Sequence, residues 1–345
     1  MPVLLLRRLN YRCWFLVLVG FCLTAHICTA ARVVKPPPTT AGPIINGIPY
    51  LYLDSWARQH GMECLWDGKN PEIKLRARWG NASLSLDSRN ASINGINLWL
   101  SYGIRIQNNR PIIAQRDLRN VIEALLFPRK PNPPRPIRTI AIDPGHGGKD
   151  PGFMLGARAE KTYNLLLAQE VRELLLAAGF KVVFTRYDDR FVELEDRPQL
   201  ARRAGADLLV SLHHNCAVNN TEAKGVETYC ATPLGTASTN GGGPREKAEP
   251  SNKFDDQNIL LAYEIHKSLV RSLEMNDRGV RRAGFEVLRK ASMPGVLIEA
   301  GFMSNLDDAK KVFDHKSRQQ LARAIVDGIL SYKRTMERGL APNQK

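Results

Sequence analysis

The chain has 345 residues, 43% hydrophobic and 24% charged, with six cysteines and a net charge of +15. That length and composition leave room for two ordinary domains with proper cores, and they exclude a low-complexity chain or a disulfide-built scaffold. The basic excess points to an anionic partner such as a wall polymer or phospholipid surface, while the scatter of Lys and Arg, with no arginine-rich tail, argues against nucleic acid.

In chain order, residues 1–30 come first. Arg7, Arg8 and Arg12 precede an apolar run from Trp14 to Leu23, and the small residues Thr29, Ala30 and Ala31 follow. This is the layout of a signal peptide cleaved after Ala30 or Ala31, because the apolar run is short for a span of about 20 residues. A retained anchor is the alternative. Nothing later in the sequence is long and apolar enough to cross a bilayer, so the mature protein is expected outside the cytoplasm, in the periplasm or at the extracellular wall. Cys13, Cys22 and Cys28 fall in this segment; Cys64, Cys216 and Cys230 remain. Cys216 and Cys230 flank a predicted strand, and the sequence leaves open whether they pair or stay as buried thiols.

Residues 44–127 read as mostly β. Ile73, Leu75, Ala77 and Trp79 alternate with polar residues, as do Leu84 and Leu86. Ile45-Asn-Gly-Ile48 and Ile93-Asn-Gly-Ile96 predict two hairpin turns, since Asn and Gly both tolerate positive φ. Short helices are expected from Ser55 to His60 and from Leu118 to Leu126. Prolines at 128, 131, 133, 134 and 136 make residues 128–137 an extended linker.

The phrases Ile45-Asn-Gly-Ile-Pro-Tyr-Leu51, Leu65-Trp-Asp67, Ala91-Ser-Ile-Asn-Gly95 and Asn109-Arg-Pro-Ile-Ile113 resemble the small stalk-like domain related to the N-terminal domain of copper amine oxidases. The resemblance implies a positioning or wall-attachment module without copper chemistry. His60 and Cys64 are an isolated pair, read as packing or surface residues.

From 138 to 336 the pattern is α/β. Thr139–Ile142, Lys181–Phe184, Asp207–Leu212 and Gly295–Ile298 read as continuous apolar strands, with helices at 160–178, 195–204 and 256–273 and a final one bearing Leu321, Ile325 and Ile329. That order predicts a mainly parallel sheet with helices on both faces and a site at the carboxyl ends of strands. Residues 232–254, rich in Gly, Ser, Thr and Pro, are expected to be a disordered surface insertion. A mobile lid is the alternative.

Four polar features stand at the predicted strand ends and helix start: His146 in Asp143-Pro-Gly-His-Gly-Gly148, Glu160, His213 in Ser211-Leu-His-His-Asn215, and Glu299 in Ile298-Glu-Ala-Gly301. Two histidines and a glutamate suit a catalytic zinc site, which uses three protein ligands and leaves a fourth position for water. A second carboxylate can then shuttle a proton to the leaving amine. Against this, a lone strand-end histidine is commonly a hydrogen-bonded structural residue, and an acidic residue in a first helical turn has its own reason to be there.

The phrases Asp143-Pro-Gly-His-Gly-Gly-Lys-Asp-Pro-Gly152, Glu160-Lys161, Thr185-Arg186 with Asp189, Ala206-Asp-Leu-Leu-Val-Ser-Leu-His213, Asp277-Arg-Gly-Val280, Val287-Leu-Arg289 and Val296 to Asn305 occur in order. Together they make segment 139–335 resemble the zinc-dependent N-acetylmuramoyl-L-alanine amidases of the type 3 family. The resemblance implies one Zn2+ held by His146, Glu160 and His213, with Glu299 as catalytic acid/base. It also implies peptidoglycan as substrate and an α/β sandwich around a mixed, mainly parallel sheet. A protein activator is a candidate partner; the oligomeric state is open.

This sequence carries His214 where the family has a small residue, and His214 is read as a substrate-side or surface residue. Residues 201–205 are more basic than the family pattern. Asp143 orients His146 or caps its turn, and Cys216 is a remote fourth-ligand candidate. Arg278 and Arg281 are either a solvated basic face or binders of anionic parts of a stem peptide. Two alternatives to the amidase stand: a zinc peptidase or deacetylase on another wall polymer, and a non-catalytic wall-binding protein.

Overall fold

The computed structural model describes residues 39–129 and 136–338. The expected signal segment 1–30 and residues 130–135 of the expected linker lie outside the described residues. The first part runs β1 (Ala41–Ile45), β2 (Ile48–Tyr52), a helix Leu53–Gln59, β3 (Glu63–Leu65), β4 (Glu72–Ala77), β5 (Gly80–Ser85), β6 (Asn90–Ile93), β7 (Ile96–Trp99), β8 (Arg105–Gln107), β9 (Arg110–Ala114) and helical turns over 115–126. Both Asn-Gly phrases form the expected two-residue turns: Asn46 and Gly47 have φ of 50° and 75°, Asn94 and Gly95 of 50° and 80°. Their flanking residues pair directly, Ile45 with Ile48 and Ile93 with Ile96. Ile73, Leu75, Leu84 and Ile93 are fully buried, as the period-2 pattern requires, whereas Trp79 is 38% exposed.

The second part runs β10 (Thr139–Pro144), a small hairpin of β11 (Met154–Leu155) and β12 (Arg158–Ala159), a helix Glu160–Ala177, β13 (Lys181–Phe184), a helix Asp196–Arg203, β14 (Leu208–Asn215) and β15 (Val226–Ala231). It continues through a helix Asp255–Ser272, β16 (Asp277–Ala283), a short helix Glu286–Arg289, β17 (Gly295–Phe302) and helices Leu306–Phe313 and His315–Arg338.

Eleven strands form one sheet in the order β13-β10-β14-β17-β15-β16-β7-β6-β5-β4-β3. Strands β13, β10, β14 and β17 are parallel, and β15 is antiparallel to β17. Strand β16 runs parallel to β15, so the sheet is mixed. One face buries Ile140, Ile142, Leu208, Val210 and Leu212 in a core shared with Leu167, Val171 and Ile325 of the long helices. The other face buries Ala141, Leu209 and Leu297 with Val287 and Leu288. Both faces are thus covered by helices, which is why the strands read as unbroken apolar runs.

The sheet crosses from one part of the chain to the other where Leu98 of β7 bridges Val280 of β16 in parallel. Around that seam Arg282 and Asp117 form an ion pair at 2.6 Å, both side chains essentially buried. Tyr263 Oη donates to the carbonyl of Ile93.

Residues 232–254 are not the disordered insertion expected from composition. Thr236 is fully buried and Thr239 nearly so. Thr239 Oγ1 accepts from the Arg282 backbone N–H, and the Ser238 hydroxyl donates to the Arg282 carbonyl. Glu249 accepts from Arg289. The segment has no period because its hydrogen bonds go to the edge of β16 and to other loops instead of to a repeating partner. Among the described residues no helix is long and apolar enough to cross a membrane.

Candidate active site

The site lies at the carboxyl ends of the parallel strands β10 and β14. Chain leaving β10 turns sharply, and Gly145 passes so close to His213 that a Cβ there would sit 2.1 Å from the ring's Cε1. His146 follows in the left-handed region at φ 61°, a conformation costly for a residue with a Cβ and concentrated at functional positions. Two buried arginines hold this turn. Arg186 donates to the carbonyls of Pro144, Gly145 and Lys161. Arg197 donates to the carbonyls of Pro144 and His146 and to the Asp143 carboxylate.

The turn brings three donors together. Glu160 Oε1 lies 3.2 Å from His146 Nε2 and 3.1 Å from His213 Nδ1, and one ligand atom from each residue falls within 4.8 Å of the others. The two imidazoles meet edge to face with centroids 4.9 Å apart. A buried carboxylate is expensive unless fully bonded. Here Glu160, 4% exposed, also accepts from Asn164 Nδ2 and from the backbone N–H groups of Phe153 and His214. Burial pushes its pKa up, but the hydrogen bonds from His146 and His213 outweigh it and hold the carboxyl far below the usual range. For His146, burial favours the neutral ring, whereas Glu160 and Asp150 favour the charged one and win, so its pKa is raised.

This donor set fits a zinc ion: two imidazole nitrogens and one carboxylate oxygen converge, with the second nitrogen of His146 fixed 2.7 Å from Asp150 Oδ2. The partner of His146 is therefore Asp150 and not Asp143. Asp143 is buried beneath the turn, where it accepts from Thr185, Ser211 and Arg197. Asp150 stands four residues after His146 in the Lys149-Asp-Pro-Gly152 phrase, but only the fold of the turn reveals the pairing.

Glu299 lies inside β17, three residues before its end, directly beside His213 of β14. It is half-buried overall, yet its Oε2 is fully buried without a hydrogen-bond partner. Burial first, and then the nearby Glu160 and Glu227, push its pKa well above the usual value of 4.5. A carboxyl with a raised pKa is suited to exchanging a proton with a reacting group.

His214 is not a substrate-side or surface residue. Strand β14 continues to Asn215, so alternation turns His214 away from His213. It is 2% exposed, its Nδ1 is 3.2 Å from the Ala300 carbonyl, and burial lowers its pKa to about 4. Cys216 is not in the three-residue cluster, and Cys64, Cys216 and Cys230 are free thiols. Arg278 and Arg281 are no solvated face either: both Nε atoms approach Glu227 Oε1, at 2.8 and 3.4 Å. Nothing in the sequence marked Glu227, because its place opposite Glu299 depends on antiparallel pairing of β15 with β17.

Gly145→Ala tests the close approach. The added methyl must displace the His213 ring, so the variant should fold yet bind zinc about 10- to 100-fold more weakly, as found when ligand orientation is lost. Zinc titration against a fluorescent competitor reads this directly.

The sequence profile of a family described as N-acetylmuramoyl-L-alanine amidase matches residues 140–331. The chain is 37% identical to the Bacillus subtilis protein YqiI over 195 residues, 56% of this chain and 84% of that one. It is 36% identical to N-acetylmuramoyl-L-alanine amidase LytC of Bacillus subtilis over 196 residues, 57% of this chain but only 36% of LytC. The solved N-acetylmuramoyl-L-alanine amidase AmiC2 of Nostoc punctiforme shares 34% identity over 56% of this chain and 96% of that one, with a TM-score of 0.48.

Proposed function

The chain belongs to the N-acetylmuramoyl-L-alanine amidase family, and from that premise we propose that it hydrolyses the amide between N-acetylmuramic acid and the L-alanine of the stem peptide. His146, Glu160 and His213 hold one zinc ion in this reading, and Glu299 is the acid/base. The observation that carries it is the meeting of those three donors beside a buried, unpartnered carboxyl one strand away.

Bound zinc supplies Lewis acidity toward the scissile carbonyl. The chain's own residues do the rest. Glu160 would offset the charge of the ion held between the two imidazoles, and Asp150 fixes the ring of His146. Glu299 takes the proton of the attacking water at its carboxyl and delivers it to the departing amine of L-alanine. Arg186 and Arg197 keep the turn at Gly145 and His146 rigid, so the donors need no rearrangement during the reaction.

Residues 1–30 act as an export signal in this proposal, which puts the enzyme outside the cytoplasm with its wall substrate. Residues 44–127 form a wall-directed module, residues 128–137 link it to the catalytic region, and a protein activator is a candidate partner.

The test is metal analysis together with products. The mature protein should carry about one zinc and free intact stem peptides with L-alanine at their amino end. A chelator should abolish release and added zinc restore it. Release of acetate, or of peptides lacking that L-alanine, would identify a deacetylase or peptidase instead. No metal and no release would leave a wall-binding protein.

A further inference from the structure

Five side chains line up across one face of the sheet, starting from the candidate metal site. His213 on β14 is beside Glu299 on β17, and Glu299 is directly opposite Glu227 on β15. Glu227 meets Arg278 and Arg281 of β16. Beyond them lies β7, which comes from outside the family match. Its Trp99 places its ring 4.7 Å beneath the Arg281 guanidinium and donates its indole N–H to the Arg278 carbonyl at 3.1 Å. The Arg278 guanidinium in turn rests 4.9 Å from the Phe302 ring.

Arg278 is thus hydrogen-bonded at Nε to Glu227, whereas Arg281 Nε is buried 3.4 Å from the same oxygen without a hydrogen bond; each is backed by an aromatic ring, and neither has an Nη hydrogen bond among the described residues. Two positive charges share the single carboxylate of Glu227, whose other oxygen is taken by Tyr229 and Asn215. Their side chains remain 33% and 15% exposed. A held guanidinium with free Nη groups is a pre-organised fork for a carboxylate.

Resting on the amidase reading, we propose that Arg278 and Arg281 clamp a carboxylate of the leaving stem peptide, and that Trp99 of the N-terminal region is a positioning residue for this clamp. The guanidiniums gather over β15, one strand spacing of about 4.8 Å from the strand of Glu299. An extended peptide covers that distance in one or two residues. The ligand is therefore the free α-carboxylate on the second residue of the stem, just past the L-alanine whose amide is cut. On this view the N-terminal region is part of the substrate site as well as a wall-directed module.

The experiment uses the mature enzyme and two synthetic muramyl peptides, differing only in whether the second residue carries an α-carboxylate or a carboxamide. The readout is the ratio of kcat/KM for the two. Wild type should favour the carboxylate. Arg281→Met should lower the ratio about 10- to 100-fold, the worth of hydrogen bonds to a charged group. Trp99→Ala should lower it about 3- to 30-fold, within the range of a cation–π contact, through KM more than kcat. Trp99→Phe, which keeps a ring under Arg281, should recover most of the loss. A ratio that stays within about twofold of wild type in both Arg281→Met and Trp99→Ala, with both still cleaving, overturns the clamp and leaves the amidase reading intact. If wild type cleaves neither peptide, the amidase reading itself has failed.

Discussion

Replacing Glu299 with glutamine is expected to cut turnover on peptidoglycan by about 10²- to 10⁴-fold while zinc stays bound. Glutamine keeps the size and shape of the side chain but cannot take up and release the proton. The proposed zinc donors are His146, Glu160 and His213, so metal content should match wild type. Fold stability should not fall either. Glu299 faces Glu227 across paired strands, and both burial and that neighbour disfavour its charge. An amide there removes a like-charge repulsion at no cost in packing. A variant that loses zinc would make Glu299 a ligand or a ligand's support. A variant with wild-type turnover would remove it from the chemistry.

The second large effect concerns the platform beneath the site. Arg197→Met is expected to destabilise the fold by about 3–5 kcal/mol at neutral pH, the usual result of removing one partner of a buried ion pair. Arg197 and Asp143 are 2.9 Å apart with side chains 2% and 1% exposed. Burial raises the Asp143 pKa, but Arg197, Thr185 and Ser211 together bring it below its usual value of 3.8. In wild type this carboxylate therefore contributes stability above about pH 4, and the contribution is lost as pH falls through the depressed folded value. Without Arg197 the burial term dominates, the folded pKa rises above 3.8, and the variant is penalised wherever Asp143 must ionise. The gap between wild type and variant should be widest above the variant's raised Asp143 pKa and shrink as pH falls from there to the depressed wild-type value. Urea unfolding at several pH values measures it. A gap that does not change with pH would assign the loss to packing and to the carbonyls of Pro144 and His146, which Arg197 also caps.

Much of this was legible in the residues. The Asn-Gly phrases specified their hairpins because the turn conformation is local and few residues tolerate it. The apolar runs specified strands β10, β13, β14 and β17, since each is covered on both faces. His146, Glu160 and His213 stood out as polar residues at strand ends and a helix start, the family resemblance named them as the ligand set, and the structure brings all three together. Strand β16 was not read as a strand. Its sequence Asp-Arg-Gly-Val-Arg-Arg-Ala is charged, and its arginines find their partners elsewhere, Glu227 on β15 and Asp117 in the helical turns over 115–126.

What only the tertiary structure decided follows one rule. Features set by neighbours in sequence, such as turns, strand periodicity and the turn that presents His146, were determined by the chain alone. Features set by charges meeting across long stretches of chain were not. The burial of His214, the docking of 232–254, Glu227 opposite Glu299 and Trp99 beneath Arg281 all depend on which strands lie side by side, whereas Asp150 beside His146 needed only the fold of one turn. Strand order is chosen by burial summed over the whole sheet, and no local pattern of residues records that sum.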